Sequence, residues 1–294
     1  MGMMVGPLVV GVDGSDGSFR ALDWAADEAA LHDLPLRLVY ASRWERYEGT
    51  ALVLNLERPA GQVLADNIVG AAAERAALRH ADLDVATQVL GDDPETMLLR
   101  EGQSASAVIV GSRGRGAFTG LLLGSVGLAV AARAHCPVIV VRGDKAGLEG
   151  THERILLGVG DSAKGSEAVR FAFREAEARG CALDAIRAWR CPAHETADHP
   201  LLAGDPERYH AERASAALSE GIDEESGEHP AVRVRRAVVE GPAHKVLVHR
   251  SAAADLLVIG AQRRQGHLGL QLGRVAHAAL HHAACPVAVV PQSV

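Results

Sequence analysis

The stretch PLVVGVDGSDGSFRALDWAADEA, Pro7 to Ala29, returns as RILLGVGDSAKGSEAVRFAFREA, Arg154 to Ala176. AVIVGSRGRG (residues 107–116) answers to LLVIGAQRRQ (256–265), and HCPVIVVR (135–142) to ACPVAVVP (284–291). Gly11 pairs with Gly158 at an offset of 147, and Gly111 with Gly260 at 149, so the register drifts by only two residues. A period this long is a duplicated domain, because solenoid repeats run about 20–50 residues. The chain of 294 residues therefore reads as two domains, 1–146 and 147–294, joined through the polar, glycine-bearing GDKAGLEGTHER at 143–154.

Within each half, apolar runs alternate with helical patterns. LVVGV leads into a helix with Phe19, Leu22, Ala26 and Ala29 on one face. LRLVYA follows, then an alanine-rich helix near 59–80, then DVATQVL. A helix that Asp93 can cap (DPETMLLREGQ) leads to SAVIVG, and GSVGLAVAARA leads to PVIVV. Strands that are apolar throughout and separated by helices form a parallel sheet covered on both faces. The expected fold class is α/β, doubly wound, in two tandem copies. The closing strands PVIVV and PVAVV are short and apolar, and a bare sheet edge invites pairing. They suggest a pseudo-dimer of the two domains within one chain, with a homodimer also open.

Composition narrows the function. Hydrophobic residues make up 48% and charged ones 23%, which is globular. A net charge of −7 argues against a non-specific nucleic-acid binder, which needs a basic face. The opening MGMMVGPLVVGVDGS has no basic segment or cleavage-site pattern and reads as a strand, and no apolar run approaches the roughly 20 residues of a membrane span. Cys136, Cys181, Cys191 and Cys285 lack C-x-x-C spacing and read as core fillers of a reducing, cytoplasmic compartment. His277, His281 and Cys285 share a four-residue spacing, but no fourth ligand stands near and Pro286 interrupts the helix, so no metal site is assigned. Arg233 and Arg235 in VRVRR read as the wet side of a strand.

The chemistry concentrates in GSRGRGAFTGLLLGS, residues 111–125, which has five glycines and two arginines (Arg113 and Arg115) but no acid. In doubly wound sheets, ligands bind beyond the carboxyl ends of the strands, where this stretch falls. Glycines let backbone N–H groups approach a ligand, and a helix beginning at Ser125 offers its free N–H groups and positive dipole end to an anion. No Walker A motif occurs. Gly114, Gly116 and Gly120 miss the dinucleotide fingerprint by one residue, and no acid between Gly111 and Gly143 is present to hold a ribose. As plain structure, the same glycines would serve a turn, and Asp13-Gly14-Ser15 a helix start.

The spacing Gly111, two residues, Gly114, nine residues, Gly124-Ser125 resembles the G-x-x-G-x(9)-G-[ST] signature of the universal stress protein family. VVGVDGS and HCPVIVVR stand where that family's first and last strands stand, and the resemblance runs over nearly the whole chain. It implies the adenine-nucleotide α-hydrolase-like fold and a site for ATP with Mg²⁺ as counter-ion. Val12 and Asp13 would face the adenosine and Ala41 the adenine. Gly111, Arg113, Gly114, Gly124, Ser125 and Val126 would wrap the triphosphate. The second half keeps Gly260 and Gly273, but has Arg263 and Arg274 where the motif wants glycine and serine, and Gly160 in the place of Asp13, with Asp161 next to it. Its site is expected to be weaker or empty. The resemblance implies a nucleotide-dependent regulator. A slow ATPase or self-phosphorylating protein remains an alternative, although no general base stands in the loop and only Ser112, Thr119 and Ser125 offer hydroxyls there. A pure interaction module is a further alternative. No catalytic residue is assigned, and no partner motif stands out.

Overall fold

The computed structural model describes residues 6–42, 60–114, 123–160, 166–191, 206–262 and 272–292. They form two compact units that divide between Val141 and Arg142. The division falls ahead of the 146/147 boundary read from the sequence, for a visible reason. Arg142 donates to the carbonyls of Ala279 (3.3 Å) and Leu280 (2.5 Å), the Asp144 N–H donates to Ala284 O (3.0 Å), and Gly147 sits on Cys285. The segment leaving the first unit thus packs on the second.

The first unit runs β1 (Leu8–Gly11), α1 (Asp16–His32), β2 (Leu36–Ala41), α2 (Ala60–Arg79), β3 (Val85–Leu90), α3 (Pro94–Glu101), β4 (Ala107–Gly111), α4 (Ser125–Arg133) and β5 (Val138–Val141). All its pairings are parallel: β3 with β2, β2 with β1, β1 with β4, and β4 with β5. The chain therefore winds outward through β2 and β3 and then returns to the other side of β1. The reversal opens a crevice at the carboxyl ends of β1 and β4, the switch point where such sheets take ligands.

The second unit repeats the plan with α5 (Lys145–Leu148), β6 (Arg154–Gly158), α6 (Glu167–Ala178), β7 (Ala182–Trp189), α7 (Pro206–Glu228), β8 (Arg233–Glu240), α8 (Ala243–Arg250), β9 (Leu256–Gln262), α9 (Arg274–His282) and β10 (Val287–Gln292). Its pairings are β8 with β7, β7 with β6, β6 with β9, and β9 with β10, again all parallel. Its switch point lies between β6 and β9. The α/β class and the duplication are as the sequence led us to expect.

Why these segments adopt these elements is plain. Leu8, Val9, Val10, Val108 and Ile109 are fully buried, which central strands covered on both faces require. α1 starts where the Ser15 side chain accepts the Ser18 N–H (3.2 Å), and stops where Asp33 turns left-handed at φ 52°. The expected cap on α3 is present, with Asp93 accepting the Thr96 N–H at 3.1 Å. Arg233 and Arg235 on β8 are exposed, as their alternation suggested. Cys136 and Cys285 are buried, and burial pushes their thiols up to about 11 and about 12, so they serve as core rather than nucleophiles. No helix among the described residues is long and apolar enough to cross a membrane.

α1 and α2 are cross-linked by a ladder of two bidentate pairs, Asp23 with Arg75 (2.6 and 2.7 Å) and Asp27 with Arg79 (2.5 and 2.7 Å). Burial pushes the Asp27 carboxyl up, but hydrogen bonds from Arg79 and His80 outweigh it and leave the carboxyl below its ordinary 3.8. A carboxyl depressed by folding contributes stability above its unfolded value, and loses that contribution as pH falls through its folded value. The pair is half-exposed, so solvent screening limits it to about 0.2–1 kcal/mol. We expect Asp27→Asn to cost that much at pH 7 in urea unfolding, and the cost to vanish as the pH falls below 3.8. A penalty that persists undiminished in acid would show that packing, and not charge, sets it.

Candidate functional site

At the switch point of the first unit, three chain segments meet. β1 ends at Gly11 and delivers Val12 and Asp13. Val12 is buried and its N–H is held by Val39 O of β2 at 3.0 Å. Asp13 is fixed locally, because its Oδ1 accepts both the Ser15 N–H (3.0 Å) and the Ser15 hydroxyl (2.6 Å). Gly14 makes this turn possible at φ 77°.

β4 delivers the second segment, Gly111 to Gly114. A Cβ on Gly111 would lie 2.5 Å from the Gly17 carbonyl oxygen, and one on Gly17 would overlap the Arg113 carbonyl oxygen. The end of β4 therefore lies flat against the first turn of α1. Gly114 comes next to Asp13, where any side chain at 114 would overlap Oδ2. The carboxylate and the glycine-rich loop thus share one small volume.

The third segment is the start of α4. The Gly124 N–H donates to Ser112 O at 2.8 Å, which ties the helix entry over the end of β4. Gly124 is the N-cap and supplies no side-chain hydrogen bond, and the first turn of α4 holds no acidic residue. α1 and α3 are capped by Ser15 and Asp93, whereas α4 presents its free N–H groups and positive dipole end to the crevice. Ser125 is exposed and Val126 half-buried at this end.

The structure thus gathers Val12, Asp13, Gly111, Arg113, Gly114, Gly124, Ser125 and Val126 at the end of β1 and on its β4 side. Ala41 closes β2 on the opposite flank of β1, half-buried. Arg115, Gly116, Thr119 and Gly120 lie outside the described residues. Two participants escaped the sequence reading. Ser15 holds the Asp13 carboxylate, and Gly17 permits the close approach of Arg113. The D-G-S turn was a visible signal for the first. For the second there was none, because the partner lies far off in the chain.

The corresponding place in the second unit forms an open cavity of about 650 Å³. Val159 and Gly160 follow β6, Ala188 lies near the end of β7, and Gly260, Ala261 and Gln262 end β9. Gly273, Arg274 and Val275 open α9. These positions repeat those of the first site, with the chemistry altered. Gly160 stands in the place of Asp13, and a Cβ placed on it would meet none of the described residues within 4 Å. Arg187 of β7 donates to Gly160 O at 2.8 Å. Gln292 fills the space beside Gly260 and accepts the Ser166 hydroxyl at 2.6 Å, where the first unit has glycine against backbone. Asp161 and Arg263 lie outside the described residues. His277 and His281 stack on α9 with ring centroids 4.5 Å apart, but Cys285 lies beyond the helix end and does not converge with them.

With this geometry in hand, comparison with known proteins is specific. The model of the universal stress protein family matches residues 4–142 and again 151–291. A universal stress protein of Mycobacterium tuberculosis is 34% identical over 305 aligned positions, covering 97% of either chain. Another, from Mycolicibacterium smegmatis, is 31% identical over 288 positions, covering 96% of either chain. The crystal structure of a universal stress protein from Archaeoglobus fulgidus shares the fold, with a TM-score of 0.65 at 19% identity over 98% of each chain. The chain belongs to the universal stress protein family, as two tandem domains.

The glycine contacts generate a testable contrast. Gly17→Ala must push the Arg113 carbonyl away, whereas among the described residues a Cβ on Gly124 meets nothing nearer than 3.7 Å. We expect Gly17→Ala to destabilise the first unit by about 1–3 kcal/mol, the usual cost of overpacking, and Gly124→Ala to change it by less than about 0.5 kcal/mol. Equal melting temperatures for the two variants would contradict the close approach of β4 to α1.

Proposed function

We propose that the first domain binds ATP and that the chain acts as a regulator whose state follows nucleotide occupancy. The observation that carries this reading is the convergence of an uncapped helix N-terminus, a glycine-lined loop end and a fixed carboxylate in one crevice. Each part suits one part of the ligand. The free N–H groups of α4 and the Arg113 guanidinium suit the phosphates. Asp13, oriented by Ser15, suits a ribose hydroxyl or the base edge, and Val12 with Ala41 forms an apolar wall for adenine. The site fits the ligand because the glycines leave open the volume that side chains would fill. Mg²⁺ then accompanies the phosphates and keeps most of its waters.

Binding without efficient turnover is the form this reading takes. The one carboxylate placed at the described site, Asp13, already has Oδ1 engaged by two hydrogen bonds from Ser15, which keeps it a fixed acceptor. Such a group orients a ligand better than it takes up a proton from an attacking water.

Mass spectrometry of protein purified under native conditions, with calorimetric titration of ATP, tests the proposal. We expect adenine nucleotide to be released from the wild type and ATP to bind the first site. Gly114→Val places branched carbon against the Asp13 carboxylate and should weaken ATP binding at least a hundredfold. Ser15→Ala leaves the cradle open but frees the carboxylate to turn, and should weaken it roughly fivefold to tenfold, the value of one charge-assisted hydrogen bond. Unchanged affinity in Gly114→Val would refute the site.

A further inference from the structure

His277 and His281 stand four residues apart on α9, so their side chains leave the same face of the helix as neighbours. Their rings stack with centroids 4.5 Å apart and planes inclined by 28°. The ring of His282 is set apart, 6.1 Å from that of His281 and tilted to it by 44°. Cys285 lies beyond the helix end, so the four-residue spacing builds no closed site. Two imidazoles placed like His277 and His281 are instead the two arms of a chelate. An ion bonded to two imidazole nitrogens at about 2.0–2.1 Å holds them roughly 3 Å apart. Rings already stacked at 4.5 Å need only a small tilt to present their nitrogens at that separation.

His281 also carries an unmet demand. Its Nε2 is shut off from solvent and makes no hydrogen bond among the described residues. A buried polar atom without a partner costs free energy, and a bond from its lone pair to a metal removes that cost. His281 is half-buried and His277 exposed, so an ion between them has protein on one side and water on the other.

The setting suits a cation held by neutral ligands. His281 belongs to the last turn of α9, where the free carbonyls and the negative end of the helix dipole lie. Arg142, the neighbouring cation, is turned to those carbonyls and donates to Ala279 O and Leu280 O. Burial, with His277, His282 and Arg142 close by, holds His281 below its ordinary 6.5, so at neutral pH it offers the unprotonated nitrogen that a metal bonds.

We infer that His277 and His281 bind one divalent late transition metal ion through two imidazole nitrogens, with its remaining positions open to water. No carboxylate or thiolate joins the pair among the described residues. Two nitrogen ligands favour Cu²⁺ over Ni²⁺ and Zn²⁺, and give no hold on Mg²⁺ or Ca²⁺, which take oxygen ligands. The assignment rests on α9 alone and is independent of nucleotide binding in the first domain.

The test uses the full chain without a histidine tag, stripped of metal with a chelator and titrated with Cu²⁺ by calorimetry. Electron paramagnetic resonance of the bound ion reports its ligands. We expect a tightest equivalent of one Cu²⁺ per chain, with a spectrum showing coupling to two imidazole nitrogens. His277→Gln and His281→Gln each leave one arm of the chelate, and should weaken that equivalent by about tenfold or more. His282→Gln should leave it unchanged. His277 is exposed, so His277→Gln should keep the wild-type melting temperature, and it decides the matter even if His281→Gln fails to fold. Tight Cu²⁺ binding that survives His277→Gln overturns the inference. So does a wild type with no tight equivalent, or a bound ion whose spectrum lacks coupling to two imidazoles.

Discussion

The contact on which the first domain's site depends is the close approach of the end of β4 to the first turn of α1. Two glycines permit it, Gly111 against the Gly17 carbonyl and Gly17 against the Arg113 carbonyl. Parallel strands alone would leave a gap there, because each helix needs room for side chains between itself and the sheet. With the gap closed, the loop after β4 emerges directly beside Asp13. The Gly124 N–H to Ser112 O bond then pins the start of α4 over the same point. Three elements that enter from different parts of the chain are thereby held at one end of the crevice. The cost is a backbone contact that tolerates no side chain, and that constraint is independent of nucleotide chemistry.

Much of this was legible before any coordinates. The duplication fixed the number of domains, and the apolar runs fixed the parallel sheet, because a strand buried on both faces has no polar side to alternate with. Asp93 announced its helix, and Ser125 stands where α4 begins. Nine residues proposed for the first site lie at the switch point or on the strand beside it. Other features stayed hidden for a common reason. Gly17, Ser15, Arg187 and Gln292 act through neighbours that sequence periodicity does not encode. Arg187 reads as an ordinary strand residue until β7 is set beside β6, and Gln292 as a chain end until it is seen filling the space beside Gly260. The domain division moved for the same reason. Arg142 and Asp144 bind backbone carbonyls at 279, 280 and 284, which composition cannot reveal.

The two halves also show which properties a duplicated fold holds and which it lets go. Gly11 and Gly158 each end the first strand of their domain beneath a leucine, Leu98 or Leu247, and Gly111 and Gly260 each stand at the switch point. Those positions carry the frame. The polar groups set on it differ. An acid became glycine with an arginine beside it, and a serine at a helix start became an arginine. Neither change disturbs the packed core, since a Cβ on Gly160 would meet none of the described residues within 4 Å and Arg274 is exposed. Charge at the mouth of a sheet is thus free to diverge while the hydrophobic interior is not, because only the interior must satisfy close packing.

This separation has an energetic consequence for a regulator. A ligand that binds the folded unit and not the unfolded chain stabilises it by an amount set by its concentration relative to its Kd, about 2.7 kcal/mol at a hundredfold excess. In the first domain the groups of the candidate site come from β1, β4 and the start of α4, which among the described residues are joined at this end by backbone hydrogen bonds and by contacts between glycines. A ligand bound at that point would therefore add most where the framework itself holds least. The second domain differs in kind, since Gln292 and Ser166 already bridge β10 to the start of α6 through a side-chain hydrogen bond. More of its framework at this end is therefore held by its own side chains.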